Sequence, residues 1–493
     1  MRPNQGKATT STELQVKSDH TEQIGVTSAS VDEPTDQTTE LLRQTSQATA
    51  AYRRSLATRP VAPPVDKTAL HAAFGGALPA NGTPPAGVIE QLISAAEPGL
   101  VATAGPRFFG FVVGGSLSSA MAADLLAVGW DQMAFNAVSA PAAAVAEEVA
   151  GSWLKELLGI PSSASVGFVT GAQAANTVGL ATGRHHVLAG AGWDVEQDGL
   201  LGGPRVRVVA SAERHATIDR SLRLLGFGNR VVEPVRTDRN GAIDIEDLRR
   251  VLATEPAGPT LVCLQAGNVN TGACDNLAAA TSIAHDHGSW VHVDGAFGLW
   301  AAASPDTRGL VEGIELADSW ACDGHKWLNV PYDSGFVFCA HPVEHAAAAS
   351  YTAAYLEGSG AVPSPSDFVL ESSRRARGFA VWAALRELGQ DGVADLVERC
   401  CRLARRFADG LRTGGAEVVN DVVLNQVLVS FGSDARTAAV IDAVQRDGTC
   451  WLGGSSWRGR KLMRVSVSNW STTDDDVDHS VAAILRCAAA VSD

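Results

Sequence analysis

Between residues 130 and 340, short apolar runs alternate with stretches that have the composition of helices. Seven runs rich in β-branched and aromatic residues predict strands; in chain order they are SVGFVT, RVRVVASAE, RVVEPVRT, TLVCLQAG, SWVHVDGA, DSWACDG and SGFVFCA. Runs that are apolar at almost every position are typical of strands buried on both faces of a mostly parallel sheet. The pattern therefore predicts an α/β fold in which helices cover such a sheet.

The patterns on either side divide the chain further. Thr, Ser, Gln, Glu and Asp dominate residues 1–40, which predicts a disordered tail. Two helical patterns at 41–125 predict an N-terminal helical arm, and the large domain is expected at 126–362. Two long helical patterns and the strand-like runs VVLNQVLVSFG and LMRVSVSNW predict a smaller α+β domain at 363–493.

Composition narrows the possible partners and the location. The chain of 493 residues carries 39 Lys and Arg against 54 Asp and Glu, and a formal charge of -15 argues against nucleic acid or an anionic membrane as partner. The longest uncharged stretches contain polar residues, unlike a membrane-spanning helix, and the N-terminus lacks the apolar core of an export signal. Eight cysteines without a C-x-x-C pair or a Cys/His cluster predict no metal site and a reducing, cytoplasmic location.

Charged side chains end two of the predicted strands. Asp294 ends SWVHVDGA, and Asp323, His325 and Lys326 follow the next strand. Because ligands bind beyond the carboxyl ends of strands in an open α/β sheet, we expect these side chains at one crevice. Lys326 could be a structural ion-pair partner of Asp294, since an unpaired buried charge is costly. It could instead be an imine-forming amine, with Asp294 holding a protonated ring nitrogen of a cofactor.

Two further strand ends carry candidate ligand contacts. The strand in GFVTGAQAAN runs into a Gly-containing turn and then a helix, whose first N–H groups suit a phosphate, although an ordinary tight turn has the same composition. His215 follows another strand. Its ring could stack on a planar cofactor, or it could be structural, as most lone histidines are.

Five segments together resemble a known family. VHVDGAFGLWAAAS, ADSWACDGHKWLNVPYDSGF, GFVTGAQAAN, PRFFGFVVGG and MRVSVSNWSTTDDDVD are similar to segments of the pyridoxal-phosphate-dependent group II amino-acid decarboxylases, which include the aromatic amino-acid and glutamate decarboxylases. The resemblance covers roughly residues 65 to 490. It implies the aspartate aminotransferase fold (fold type I) with a seven-stranded sheet, pyridoxal 5'-phosphate as cofactor, and a homodimer whose subunits share the active sites.

The resemblance also implies roles for individual residues around the cofactor. Lys326 would form the imine with the cofactor, Asp294 would pair with the pyridine nitrogen, and His215 and Ala296 would cover the two faces of the ring. The further cofactor contacts that it implies are Thr170, Gly171, Ala172, Gln173, Asn268, His325, Gly454 and Ser455. The last two lie in WLGGSSW, a segment expected to come from the neighbouring subunit.

The substrate contacts implied by the resemblance are fewer. They are Phe109, Trp130 and Arg464, with a small-molecule amino acid as the substrate. Other roles stay open for these residues, because Arg464 could form a surface or interdomain salt bridge and the two aromatic side chains could pack at the dimer interface.

The implied reaction is decarboxylation at Cα of an L-amino acid, with Tyr351 or Tyr355 returning a proton to the carbanion. Gly324 differs from the residue usual in relatives, and Asp323 stands where some relatives have a neutral phosphate ligand. These departures leave open an oxidative deamination, or β-elimination (carbon–sulfur lyase chemistry) on a cysteine conjugate, as in antibiotic biosynthesis of the lincosamide type. An aminotransferase, and a pseudoenzyme that keeps the fold for binding, are further alternatives.

Overall fold

A seven-stranded sheet lies at the centre of the computed structural model, which describes residues 37–254, 258–350 and 364–491. Its strands are β1 (Ser165–Val169), β2 (Arg207–Ser211), β3 (Val232–Val235), β4 (Thr260–Gln265), β5 (Trp290–Asp294), β6 (Ser319–Asp323) and β7 (Gly335–Cys339). They lie in the order β1-β7-β6-β5-β4-β2-β3, and β7 runs antiparallel to both of its neighbours. All seven predicted strands and the mostly parallel sheet are confirmed.

Helices precede the sheet and connect its strands. They are α1 (Gln37–Ser55), α2 (Lys67–Phe74), α3 (Pro85–Ala96), α4 (Ser118–Trp130), α5 (Pro141–Leu158), α6 (Ala172–Gly190), α7 (Val195–Asp198), α8 (Ala216–Leu224), α9 (Ile245–Leu252), α10 (Leu277–Asp286) and α11 (Pro342–Ala349). Helix α1 begins inside the polar segment 1–40 that the sequence predicts to be a tail. Within the described ranges, no helix is long and apolar enough to cross a membrane.

A second, antiparallel sheet follows the large one in the chain. Its strands are β8 (Glu417–Val418), β9 (Gln426–Ser430), β10 (Gly453–Trp457) and β11 (Arg460–Ser466), in the order β10-β11-β9-β8. Three helices pack around it, namely α12 (Gly378–Thr413), α13 (Asp434–Asp447) and α14 (Asp474–Ala490). The two helical patterns predicted after residue 363 form α12, which is interrupted at Gly389, where φ is 62°.

One hydrophobic core joins the two sheets. Trp320 of β6, Phe407 of α12 and Val429 of β9 belong to the same cluster of buried side chains. A histidine in this interior is fully paired: the His292 ring contacts Ser319 Oγ at 2.8 Å and Asn176 Oδ1 at 2.9 Å. Burial lowers the pKa of His292 to about 4, so the ring is neutral and fixes α6 against β5 and β6.

A buried ion pair holds the end of β1 in place. The two terminal nitrogens of Arg374 each donate to a carboxylate oxygen of Glu147, at 2.9 Å. Arg374 also donates to the carbonyls of Phe168 and Ala134, both at 2.8 Å. Because Phe168 is the next-to-last residue of β1, this network fixes the strand that leads into the Gly171 turn.

Candidate active site

The carboxylates of Asp294 and Asp323 lie at the same edge of the large sheet. Asp294 is the last residue of β5 and Asp323 the last residue of β6, and the parallel register pairs Asp294 with Ala321. The Asp323 N–H donates to the carbonyl of Ala296 at 2.9 Å, which joins the two strand ends. The crevice predicted at the carboxyl ends of these strands is therefore present.

Lys326 pairs with Asp323 and not with Asp294. Its Nζ lies 2.8 Å from Asp323 Oδ2, and the Asp323 side chain is 3% exposed. The other oxygen of Asp323 accepts the Ala172 N–H at 2.6 Å. The structural ion pair with Asp294, one of the two alternatives open from the sequence, is thus wrong. Both carboxylates end buried strands, and sequence spacing cannot show which one the lysine reaches.

Asp294 is a buried carboxylate without a cationic partner among the described residues. It is 4% exposed, and its oxygens accept the Ala296 N–H at 3.3 Å and the Thr217 hydroxyl at 3.5 Å. A buried carboxylate normally pairs with a cation or with several strong donors. The site therefore has a place for a positively charged group on a ligand.

His215 is held at the start of α8 in its neutral form. Its Nδ1 lies 2.9 Å from Thr217 Oγ1 and accepts the Thr217 N–H at 3.3 Å, so the imidazole caps the helix. Burial lowers the pKa of His215, although the Asp294 carboxylate opposes this shift. The ring is consequently fixed near Asp294 and carries no charge at neutral pH.

The turn from β1 into α6 is closely packed, and its N-cap residue, Gly171, has no side chain to cap the helix. A Cβ on Gly171 would lie 2.9 Å from His325 Cε1 and 3.1 Å from Asp323 Oδ1, so only glycine fits there. Gln173 follows at the second helical position, and its amide donates to Ser221 Oγ on α8 at 2.9 Å. Thr170 precedes this turn, at the end of β1. The predicted phosphate turn therefore adjoins both Asp323 and His325.

His325 is fixed on both sides by residues that the sequence did not single out. Its Nδ1 accepts the Ser334 N–H at 3.2 Å, and its ring stacks on Tyr332 with centroids 4.3 Å apart. Burial lowers the pKa of His325, so the imidazole is neutral. A tyrosine six residues after the lysine gives no periodic signal, and for that reason Tyr332 was missed.

The turn after β4 meets the β10–β11 hairpin of the same chain. Ser455 Oγ donates to Asn270 Oδ1 at 2.6 Å, and Arg464 donates to the carbonyl of Val269 at 3.1 Å. Asn268 is fully buried, and its amide donates to Gln265 Oε1 at 3.1 Å. The segment that contains Gly454 and Ser455, expected from a neighbouring subunit, thus packs against its own chain.

Arg464 forms no ion pair with any residue that the structure describes. Among those residues, the alternative that Arg464 forms a surface or interdomain salt bridge is therefore excluded. Burial lowers the pKa of the guanidinium, and the Arg464 charge acts on His215. A partly buried cation that acts on His215 is suited to a carboxylate of the substrate.

Two predicted substrate contacts, Phe109 and Trp130, pack against other aromatic side chains, and the two predicted tyrosines fall outside the described residues. Phe109 is 1% exposed and packs edge-on against Phe407, with ring centroids 4.8 Å apart. Trp130 lines a separate apolar groove together with Phe379. Aromatic residues near a motif are difficult to assign from sequence because cores and pockets both favour them. Tyr351 and Tyr355 lie in the range 351–363, outside the residues that the structure describes.

These residues fit pyridoxal 5'-phosphate. The site has a lysine amine, an unpaired buried carboxylate suited to a protonated pyridine nitrogen, a flat neutral ring beside it, and a helix N-terminus at a glycine turn. In the described ranges, no group of His, Cys, Asp and Glu side chains is arranged to hold a metal ion.

Fold and site together define a fold-type I enzyme that uses pyridoxal phosphate. The chain belongs to the family described as "Pyridoxal-dependent decarboxylase conserved domain", which matches residues 71–432. It is therefore a carboxy-lyase with pyridoxal 5'-phosphate as cofactor, and the activity that this family supports is decarboxylation of an L-amino acid.

Individual relatives agree with this assignment. The chain is 27% identical over 458 residues to an aromatic-L-amino-acid decarboxylase from Bacillus atrophaeus, covering 90% of this chain and 93% of the relative. It is 24% identical to L-2,4-diaminobutyrate decarboxylase from Acinetobacter baumannii, over 74% of this chain and 75% of the relative. The crystal structure of Oryza sativa TDC with PLP and tryptamine shares the fold, with a TM-score of 0.86, 23% identity, and coverage of 93% and 99% of the two chains.

Replacing Gly114 by alanine is expected to disrupt the lysine segment. A Cβ on Gly114 would lie 1.7 Å from the Lys326 carbonyl oxygen, a distance that forces the backbone apart. We expect Gly114→Ala to lower the unfolding free energy by about 2 kcal/mol or more and to weaken cofactor binding. Thermal unfolding and cofactor absorbance measure the two effects.

The matched control is Gly190→Ala at the end of α6, where an added Cβ meets no neighbouring atom within 4 Å. This exposed position should tolerate alanine without loss. Equal behaviour of the two variants would contradict the contact between Gly114 and Lys326.

Proposed function

We propose that the protein is a homodimeric amino-acid decarboxylase in which Lys326 binds the cofactor aldehyde and Asp294 binds the protonated pyridine nitrogen. The observation that carries the proposal is Asp294, a carboxylate 4% exposed, near His215 and without a cationic partner among the described residues. In this proposal His215 covers one face of the ring and Ala296 the other.

The phosphate is proposed to bind at the turn from β1 into α6. Thr170 and Gly171 lead into the first turn of α6, which begins with Ala172 and Gln173 and carries the first N–H groups of the helix. An exposed helix N-terminus favours an anion through these N–H groups and through the helix dipole. The neutral His325 ring adjoins the same turn, since a Cβ on Gly171 would touch it.

The chain's own side chains would set the direction of the reaction. When bound, the cofactor supplies a ring that withdraws the electron pair left on Cα after carbon dioxide departs. Asp294 keeps the proton on the pyridine nitrogen, and this charge makes the withdrawal effective. Arg464 is proposed to bind and orient the substrate carboxylate, because it is a partly buried cation that donates to the Val269 carbonyl.

The substrate class follows from the relatives and is tested directly. The relatives include an aromatic-L-amino-acid decarboxylase and an L-2,4-diaminobutyrate decarboxylase. Both kinds of amino acid therefore belong in the assay panel. We propose an L-amino acid with a free α-carboxylate. The eight cysteines are all free in the structure, which supports our proposal of a reducing, cytoplasmic location.

The homodimer is proposed from an apolar groove between α4, α5 and α12. The groove has a volume of about 760 Å³ and is lined by Leu126, Trp130, Val145, Phe379 and Trp382. Four of these are at least two-fifths exposed, including Val145 at 56% and Trp382 at 41%. A contiguous apolar surface of this kind normally marks an interface, and a second copy of the chain is the partner that we propose.

Borohydride trapping tests the cofactor lysine. The full-length protein incubated with pyridoxal 5'-phosphate and reduced with borohydride should carry a stable pyridoxyl group on Lys326, located by peptide mapping. Lys326→Arg should not be labelled, because the guanidinium forms no stable imine. A label on another lysine, with Lys326 unmodified, would contradict the proposed site.

Replacing Asp294 by asparagine should reduce decarboxylation at least ~10²-fold, because the ring nitrogen loses the charge that keeps it protonated. Carbon dioxide release from the amino-acid panel measures the loss, and the cofactor absorbance should shift in parallel. The same assay follows peroxide, ammonia and pyruvate, which would reveal oxidative deamination or β-elimination instead.

Asp318→Asn provides the matched control for Asp294→Asn. Asp318 is also a carboxylate of the large domain, but it precedes β6 and binds His341 and His285 at the opposite end of the strand. We expect its loss to affect stability more than turnover. Equal loss of activity in both variants would show that Asp294 acts only through the fold.

A charge in the apolar groove should separate the proposed dimer. Val145→Glu places a carboxylate in that groove and should lower the mass measured by light scattering towards that of one chain. Val343→Glu is the control, since Val343 is 79% exposed on α11 and does not line the groove. An unchanged mass for Val145→Glu would exclude this face as the interface.

A further inference from the structure

The Asp323 carboxylate contacts both of the groups that are proposed to bind the cofactor, the Lys326 amine and the start of α6. One carboxylate oxygen lies 2.8 Å from Lys326 Nζ, and the other accepts the Ala172 N–H at 2.6 Å. The lysine must lose its ammonium proton before it can react with an aldehyde, and Ala172 begins the helix that is proposed to bind the phosphate. The Asp323 carboxylate therefore binds both the Lys326 ammonium and the N-terminus of α6.

A phosphate bound at the Gly171 turn would lie close to the Asp323 carboxylate. The added Cβ on Gly171 would lie 3.1 Å from Asp323 Oδ1, so the carboxylate is in contact with the turn itself. The Asp323 side chain is 3% exposed, and water cannot screen the repulsion between two anions there. Two acidic groups that share a buried site keep a proton between them, because both cannot be charged at low cost.

The other charged or titratable groups around Asp323 do not remove this conflict. His325 Nε2 lies 3.5 Å from Asp323 Oδ1, and burial keeps that ring neutral. The fields of His215 and of the buried Cys322 thiol also reach Asp323, and neither group is a cation at neutral pH. The phenol of Tyr332 is likewise neutral, and the Asp294 carboxylate adds a negative charge near His215. Lys326 is thus the cation that balances Asp323.

We propose that Asp323 is a positioning residue that holds Lys326 as the ammonium and caps α6 until the cofactor arrives, and then takes the lysine proton. Transfer of that proton leaves a neutral Lys326 amine and a neutral Asp323 acid. The amine nitrogen then condenses with the cofactor aldehyde, whose oxygen leaves as water, and the acid donates its proton in a hydrogen bond to the phosphate. No external acid or base is required. This inference rests on the proposed cofactor site.

Inorganic phosphate has no aldehyde, so Lys326 keeps its ammonium proton and Asp323 must take a proton from the solvent when phosphate binds. Phosphate binding should therefore strengthen as the pH falls. Only the protonated, uncharged Asp323 acid avoids repulsion with the phosphate anion. An asparagine has no charge to neutralise. Asp323→Asn should therefore bind phosphate more tightly than the parent protein at pH 8, and this difference should shrink towards pH 6.

The test uses the full-length protein, freed of cofactor with hydroxylamine, and inorganic phosphate as the probe. Calorimetric titration at pH 6 and pH 8, in buffers of different ionisation enthalpy, measures both affinity and proton uptake. At pH 8 we expect Asp323→Asn to bind phosphate at least about tenfold more tightly than the parent protein, because the repulsion between two buried anions is removed. Proton uptake should be present in the parent protein and absent in the variant.

Controls separate this inference from a loss of folding and from the proposed function. Asp323→Ser provides a second neutral variant. The test can be made with either variant, provided that its circular dichroism spectrum shows the native fold. Asp318→Asn should bind phosphate as the parent protein does. Phosphate binding by both neutral variants that is equal to or weaker than that of the parent at pH 8 would overturn the inference. Borohydride trapping of pyridoxal 5'-phosphate on Lys326 is a separate readout, and its failure would remove the cofactor site itself.

Discussion

Burying a carboxylate is costly unless something compensates its charge, and the large sheet of this protein ends in several buried carboxylates. Asp275, beyond β4, accepts the N–H groups of Ile243 at 2.8 Å and Gln265 at 2.7 Å, and burial raises its pKa to about 6. Asp323 has Lys326 and the start of α6. Asp294 has two long hydrogen bonds and no cation among the described residues. Of the three, Asp294 is therefore the carboxylate that gains most from a charged ligand.

The site also depends on how closely its backbone segments approach one another. A Cβ on Gly335 would lie 2.5 Å from the Gly171 Cα, and one on Gly114 would overlap the Lys326 carbonyl. Side chains at these positions would push β7 away from the Gly171 turn and the segment around Gly114 away from Lys326. Glycine here is required by close approach rather than by flexibility.

The sequence was sufficient to predict the large sheet and the residues at its edge. All seven strands were predicted because strands covered on both faces are apolar at almost every position. The sequence also indicated which strands end in Asp294, Asp323 and Lys326. It could not show that Lys326 pairs with Asp323, since that choice depends on side-chain directions at the end of β6. Nor could it show that Phe109 packs against Phe407 or that Trp130 lines the apolar groove, since these contacts also depend on side-chain directions.

The contact between the two sheets links the small domain to the cofactor crevice. Ser455 and Arg464, on neighbouring strands of the hairpin, bind Asn270 and the Val269 carbonyl in the turn after β4. Asn268 in the same turn donates to the Glu213 carbonyl at 3.1 Å, two residues before His215. These hydrogen bonds connect the hairpin, through this turn, to the segment that precedes His215. The small domain is thus part of the site, because its arginine and its serine both hold the turn that supports the histidine.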